Sequence, residues 1–140
     1  MIFFVLVIPL FAKKREAFQV VNELKGAVAP SREWSKNLTQ LNQTLLAHNY
    51  KKSFELIGSW KKNQGKYGVW IVPVLESIAL LAKHDDLGRK VDKLDAKKIL
   101  ISFAKKCERV PIAKNKDFNE FRNFWCAWAG LQEGMVVGWS

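Results

Sequence analysis

The chain has 140 residues, about one domain, with 49% apolar residues and only four prolines, which excludes a disordered tract. Its 23 Lys and Arg against 13 Asp and Glu give a net charge of +10, which points to an acidic partner: nucleic acid, an anionic membrane or an acidic protein surface. Two cysteines, Cys107 and Cys126, without CxxC spacing, signal neither a zinc site nor a disulfide framework. Both fall on apolar helix faces and are expected as buried, reduced thiols of an intracellular protein, nuclear or cytoplasmic.

The chain opens on MIFFVLVIPLFA, followed by Lys13, Lys14 and Arg15. The apolar run Ile2 to Ala12 falls short of the roughly 20 residues a membrane span needs. It also lacks the positive leading region of a signal peptide. It is expected to pack into the body or to begin an incomplete chain; the competing reading is a short membrane anchor with a basic flank.

Helical periodicity dominates from there. Ala17, Phe18, Val21 and Leu24 form an apolar stripe, ended by the stretch from Gly26 to Pro30. Ser31 caps a second helix with the stripe Trp34, Leu38, Leu41 and Leu45, and a short third carries Phe54, Ile57 and Trp60. KKNQGKYG (61–68), with two Gly and three Lys, reads as a loop. The fourth helix is expected to start near Pro73, where a first-turn proline is tolerated. It is apolar almost all round, so Trp70, Leu75, Ile78 and Leu81 should be nearly fully buried.

Asp95 is expected to cap a fifth helix with Ile99, Leu100, Phe103 and Cys107 inward. Asp117 and Glu120 make a capping-box-like start for a sixth, with Phe118, Phe121, Trp125 and Trp128 inward and Gly130 at its end. The expected fold is all-α, a single helical domain over 1–140 with an apolar segment 1–12 and a C-terminal tail 131–140. About six helices form an antiparallel, helical-repeat-like stack.

Charge is uneven along the chain: residues 84–117 hold ten Lys or Arg against six acids. Lys97, Lys98, Lys105 and Lys106 fall on the outer face of the fifth helix, and Lys61, Lys62 and Lys66 in the exposed loop. Together they are candidate contacts to a phosphate backbone, which needs only cationic side chains on one surface. Aromatics interleaved with those lysines would point to single-strand stacking, and Tyr67 and Trp60 flank the loop.

No P-loop, GxGxxG, GxSxG or HExxH occurs, so no cofactor is expected and an enzyme is the less favoured reading. One constellation carries chemistry. ALLAKHDDLGRK resembles the LLHDxGK signature of HD-domain metal phosphohydrolases, which are all-helical. The resemblance implies a divalent metal held by His48, His84, Asp85 and one of Asp92 or Asp117, activating water for attack on phosphate. Asp86 is an extra residue in that signature. The competing reading is a helix end, with His84 favourable at the C-terminus of the helix dipole and Asp-Asp followed by Leu-Gly as turn chemistry.

A second resemblance covers residues 47–130: Trp70, Pro73, Val74 and Leu75, then Ala82 and Asp85, then Asp95, Ala96, Leu100, Phe103 and Cys107, followed by FNEFRNFWCAWAGL. This order is similar to the helical-repeat region of PCI-domain proteins of the mRNA-export type, without that family's winged-helix half. It implies a non-enzymatic scaffold with a basic face, working with protein subunits of a larger complex and with RNA or DNA through phosphate contacts. A metal-dependent phosphohydrolase and a small membrane-associated protein are the two alternatives.

Overall fold

The computed structural model describes residues 29–138, and every regular element among them is an α-helix. In chain order these are α1 (Arg32–Leu46), α2 (Tyr50–Lys61), α3 (Gly65–Leu87), α4 (Lys90–Arg109) and α5 (Lys116–Gly138). The expected all-α class holds, with five helices among the described residues. The expected apolar segment 1–12 and the helix on Ala17 to Leu24 lie outside them.

The first boundary follows the sequence. The Ser31 hydroxyl accepts from the Trp34 N–H at 3.2 Å and caps α1. At its other end α1 closes in a left-handed cap. The Asn49 N–H reaches the Thr44 carbonyl at 2.8 Å and the His48 N–H the Leu45 carbonyl at 3.0 Å. This two-bond closure needs a residue at positive φ, a place glycine usually takes, and here His48 takes it at φ 57. Asn49 then caps α2 by accepting from the Lys52 N–H at 3.1 Å.

The largest correction concerns α3. It begins at Gly65, within the stretch expected to be a loop, and Pro73 lies inside it. Gly68 is helical and serves close approach: a Cβ there would stand 3.0 Å from the Trp34 indole. The absence of a polar face does bury the helix, with Trp70, Leu75 and Leu81 each under 10% exposed. Ile78 departs from expectation and is half-buried, while the neighbouring Ser77 is fully buried and donates to the Val74 carbonyl at 2.7 Å. By length and composition α3 could cross a membrane, yet 61% of its most apolar window is buried against the other helices.

Helix α4 starts at Lys90 behind Arg89, not at Asp95, which is exposed inside the helix. The first-turn acid is Asp92, buried, with Arg89 Nε at 3.7 Å. Helix α5 is capped by Asn115, whose side chain accepts from the Phe118 N–H at 3.0 Å, so Asp117 is one of its first-turn residues and not its cap. It also runs past Gly130 to Gly138, correcting the expected tail. The reason is that Trp125, Trp128, Gln132 and Val136 continue one buried stripe at 3–4 spacing.

Helix α3 packs against α2, α4 and α5, α4 against α5, and α1 against α2. Edge-to-face ring pairs mark these seams: Trp34 on Trp60 at 5.7 Å between centroids and Trp70 on Phe103 at 5.9 Å. Cys107 and Cys126, expected as separate reduced thiols, are joined in a disulfide across the α4–α5 seam, with Cα atoms 6.0 Å apart. Sequence spacing could not show this, because the pairing arises from how α5 folds back on α4. In the chain-entropy account, closing a loop of that size stabilises by about 3 kcal/mol.

The core makes a graded prediction. Ile71 is fully buried, so Ile71→Ala should cost on the order of 2–5 kcal/mol in urea unfolding, while half-buried Ile78→Ala should cost about 1 kcal/mol. Equal costs would mean that the α3 packing is not as described.

Candidate functional site

The site grows from a backbone defect. Pro73 has no N–H to give the Val69 carbonyl one turn earlier, and a buried carbonyl without a donor is costly. The Lys106 ammonium fills that place, donating to Val69 O at 2.9 Å from the neighbouring helix. Its Nζ also lies 4.2 Å from the Trp70 ring centroid and 5.9 Å from that of Phe103. Burial lowers its pKa below the ordinary lysine value. Lys106, expected on the outer face of α4, is therefore turned inward.

From this lysine a row of alternating cations and rings crosses α4, α3 and α5. The Arg122 guanidinium stands 5.3 Å from the Trp70 centroid and 5.4 Å from Phe118. Lys66 Nζ stands 4.7 Å from Phe118 and 5.5 Å from Tyr67. The order is thus Phe103, Lys106, Trp70, Arg122, Phe118, Lys66, Tyr67. Each such contact contributes roughly 0.5–2 kcal/mol, depending on how dry it is. Arg122 is fixed further by donating to the Pro111 carbonyl at 2.8 Å and to Asn119 Oδ1 at 2.9 Å. These contacts hold three positive charges in place on one side of the fold.

The remaining candidate lysines divide. Lys62, Lys98 and Lys105 are exposed and Lys97 is half-buried, so the two α4 pairs do not share one face. Lys61 is ion-paired with Glu76 at 2.9 Å, an exposed contact that contributes little to stability. Sequence reading missed Arg122 altogether. The signal was there in the spacing of Phe118 and Arg122, one helical turn apart, but nothing local showed that Lys66 and Trp70 would meet them.

The residues suggested as a metal corner gather only in part: His48 reaches the end of α3 that carries His84 and Asp85, and Asp117 stands elsewhere. His48 Nδ1 contacts the Asp86 carboxylate, the extra residue of the signature, and the Tyr50 hydroxyl donates to the same carboxylate and to the Ala82 carbonyl at 3.4 Å. Asp117 adjoins Phe118, whose ring lies 5.9 Å from Tyr67 at the opposite end of α3. At 1.5 Å rise per residue, Tyr67 and His84 are roughly 25 Å apart. Asp92 pairs with Arg89. Among the described residues no group of three or more His, Cys, Asp or Glu could share an ion. His48, Tyr50, Phe54, Lys83 and Asp86 instead line an open groove of 890 Å³. The Tyr50 hydroxyl is held well above the ordinary tyrosine range by burial first, then by the bond to Asp86 and the charges of Asp86 and Asp85.

Compared with family models, curated proteins and solved structures, the chain matches none.

Two outcomes test this geometry. Lys106→Met should cost about 1–3 kcal/mol, the penalty of an orphaned buried carbonyl. In a Pro73→Ala background, where residue 73 again donates to Val69, most of that cost should vanish; additive effects would refute the coupling. Tyr50 gives the second. Because its folded pKa is raised, the unfolded chain loses its phenolic proton first, so this residue's contribution is intact below about pH 10 and is lost as pH rises beyond it. Tyr50→Phe should therefore lessen the alkaline fall in stability, measured by urea unfolding from pH 8 to 11.

Proposed function

We propose that the chain is a non-enzymatic helical binding module that engages a polyanion, a single-stranded nucleic acid in the first place, through the face carrying the row of cations and rings. The observation that supports this is the alternation itself. Three cations are held by aromatic rings before any partner arrives, so little side-chain freedom is lost on contact with phosphate. Exposed Lys105 immediately precedes Lys106 and exposed Lys62 lies four residues before Lys66, and both add to the positive charge around the row. Phe118 and Tyr67 are half-buried, which leaves ring surface for a base to stack upon. The readout is of phosphate and ring face, without sequence preference.

A role beside other subunits in a nucleic-acid-handling assembly, as the PCI-type resemblance implies, belongs to the same proposal. So does an antiparallel, repeat-like arrangement of the helices, for which the short connections between α1 and α4 speak. A nuclear or cytoplasmic location would keep most cysteines reduced, so in that setting the Cys107–Cys126 bond is subject to change.

Binding of a labelled oligonucleotide, followed by fluorescence anisotropy over a salt series, tests the reading. Lys62→Glu, Lys66→Glu and Lys105→Glu combined should weaken binding on the order of tenfold or more at low salt and flatten the salt slope by about two to three. The same number of reversals at Lys36, Lys51 and Lys52, exposed on α1 and α2, should do much less. Equal loss from both triple variants, or binding indifferent to salt, would sink the proposed face.

A further inference from the structure

We infer that the Cys107–Cys126 disulfide is a redox clasp for α5: its reduction loosens α5 from α3 and α4 while α1 to α4 stay folded. Three separate observations carry this. First, the unpartnered polar atoms are concentrated on the inner face of α5. Trp125 Nε1, Trp128 Nε1 and both amide atoms of Gln132 are buried without a hydrogen bond, against Asn42 Nδ2 and Asp92 Oδ2 elsewhere among the described residues. Each regains a partner when α5 opens to water, so docking is opposed at every one of them.

Second, α5 is the last of the five helices and packs on α3 and α4, with no comparable contact to α1 or α2. Its Trp125, Trp128, Ala129 and Val136 join the same core as the other helices. Yet α1 on α2, α2 on α3 and α3 on α4 pack directly, so these four helices keep apolar contacts of their own when α5 leaves. The connection 110–115 is tied to α5 by Asn119, which bonds the Ala113 N–H at 2.7 Å and its carbonyl at 2.6 Å, and by Arg122 to Pro111. Those ties join α5 to its own loop and would travel with it. The disulfide is the covalent tie to α4.

Third, the bond is within reach. Both half-cystines are half-buried and line an open cavity of 210 Å³ with Trp70, Asn119, Arg122 and Asn123. A dithiol reductant fits the chemistry. One of its thiolates attacks a sulfur of the pair to give a mixed disulfide, and its second thiol resolves this. Two electrons and two protons pass to Cys107 and Cys126, and the reductant leaves as its own disulfide. The regulatory consequence rests on the proposed polyanion face, because Phe118 and Arg122 reside on α5 and leave the row with it.

Hydrogen exchange read by mass spectrometry, on the oxidised chain and on the same chain in dithiothreitol, tests the clasp. Removing a cross-link over a loop of this size should speed exchange of the α5 amides roughly a hundredfold. The α1 to α3 amides should stay within about twofold, as expected for a local opening. Cys107→Ser with Cys126→Ser should reproduce the reduced pattern; should that variant not fold, the reduced wild type still decides. Unchanged α5 protection, or loss of protection in all five helices together, overturns the clasp. Oligonucleotide binding in the same two states separates the readings. Faster α5 exchange with weaker binding supports both, whereas faster α5 exchange with unchanged binding supports the clasp and overturns the part given to Phe118 and Arg122.

Discussion

The Val69 carbonyl is the point on which the arrangement of α3, α4 and α5 turns. A proline inside a helix leaves the carbonyl one turn back without its N–H, and it also pushes on the helix sterically. Such a place on a surface would be met by water. Here Val69 is half-buried under α4, so the donor has to come from the protein, and Lys106 supplies it. That bond fixes the register of α4 along α3. It also requires a cation to lie against Trp70, and an ammonium partly stripped of water is better held over an aromatic face than over aliphatic side chains. Arg122 shares the same indole from the α5 side. One missing hydrogen thus organises a lysine, a tryptophan and an arginine from three helices.

This explains what could and could not be read from the sequence. The stripes of α1 and α5 and the all-apolar character of α3 report burial, which depends on residue type alone, and these were legible. Boundaries were less so. Pro73 and the two glycines at 65 and 68 are punctuation in a local reading, which makes of them a helix start and a loop. In the fold Pro73 is tolerated because Lys106, far along the chain, repairs the defect, and Gly68 is helical because Trp34 leans on it. Both corrections come from tertiary contacts that no local pattern contains. Asp95 and Asp117 failed as caps for a simpler reason: Arg89 and Asn115 precede them, and the helices had already begun.

The candidate residues show the same division. That the chain is basic, and that lysines cluster at 61–66 and 97–106, is plain in the sequence. Which of them turn outward is not. On a helix each residue is rotated by about 100° from the last, so adjacent Lys105 and Lys106 look in different directions, one to water and one to Trp70. The disulfide was invisible because a pair of cysteines carries no pattern by itself.

The corner at His48, Tyr50 and Asp86 belongs to another kind of constraint. A histidine at φ 57 costs backbone energy that glycine would avoid, of the order of 1 kcal/mol. The strain persists because the surroundings determine it twice over. The two-bond closure of α1 fixes the backbone, and the contacts of the ring to Asp86 and Tyr50 tie that closure to the end of α3. Glycine would relax the turn and lose the tie. His48 therefore joins two helix ends in place of gathering ligands, since the carboxylate it reaches, Asp86, already receives the Tyr50 hydroxyl. A carboxylate engaged by two donors at a helix terminus is well suited to holding a seam. An ion would have to displace both of them, and Asp117, one of the ligands the resemblance implies, stands beside Phe118 at the far end of α3.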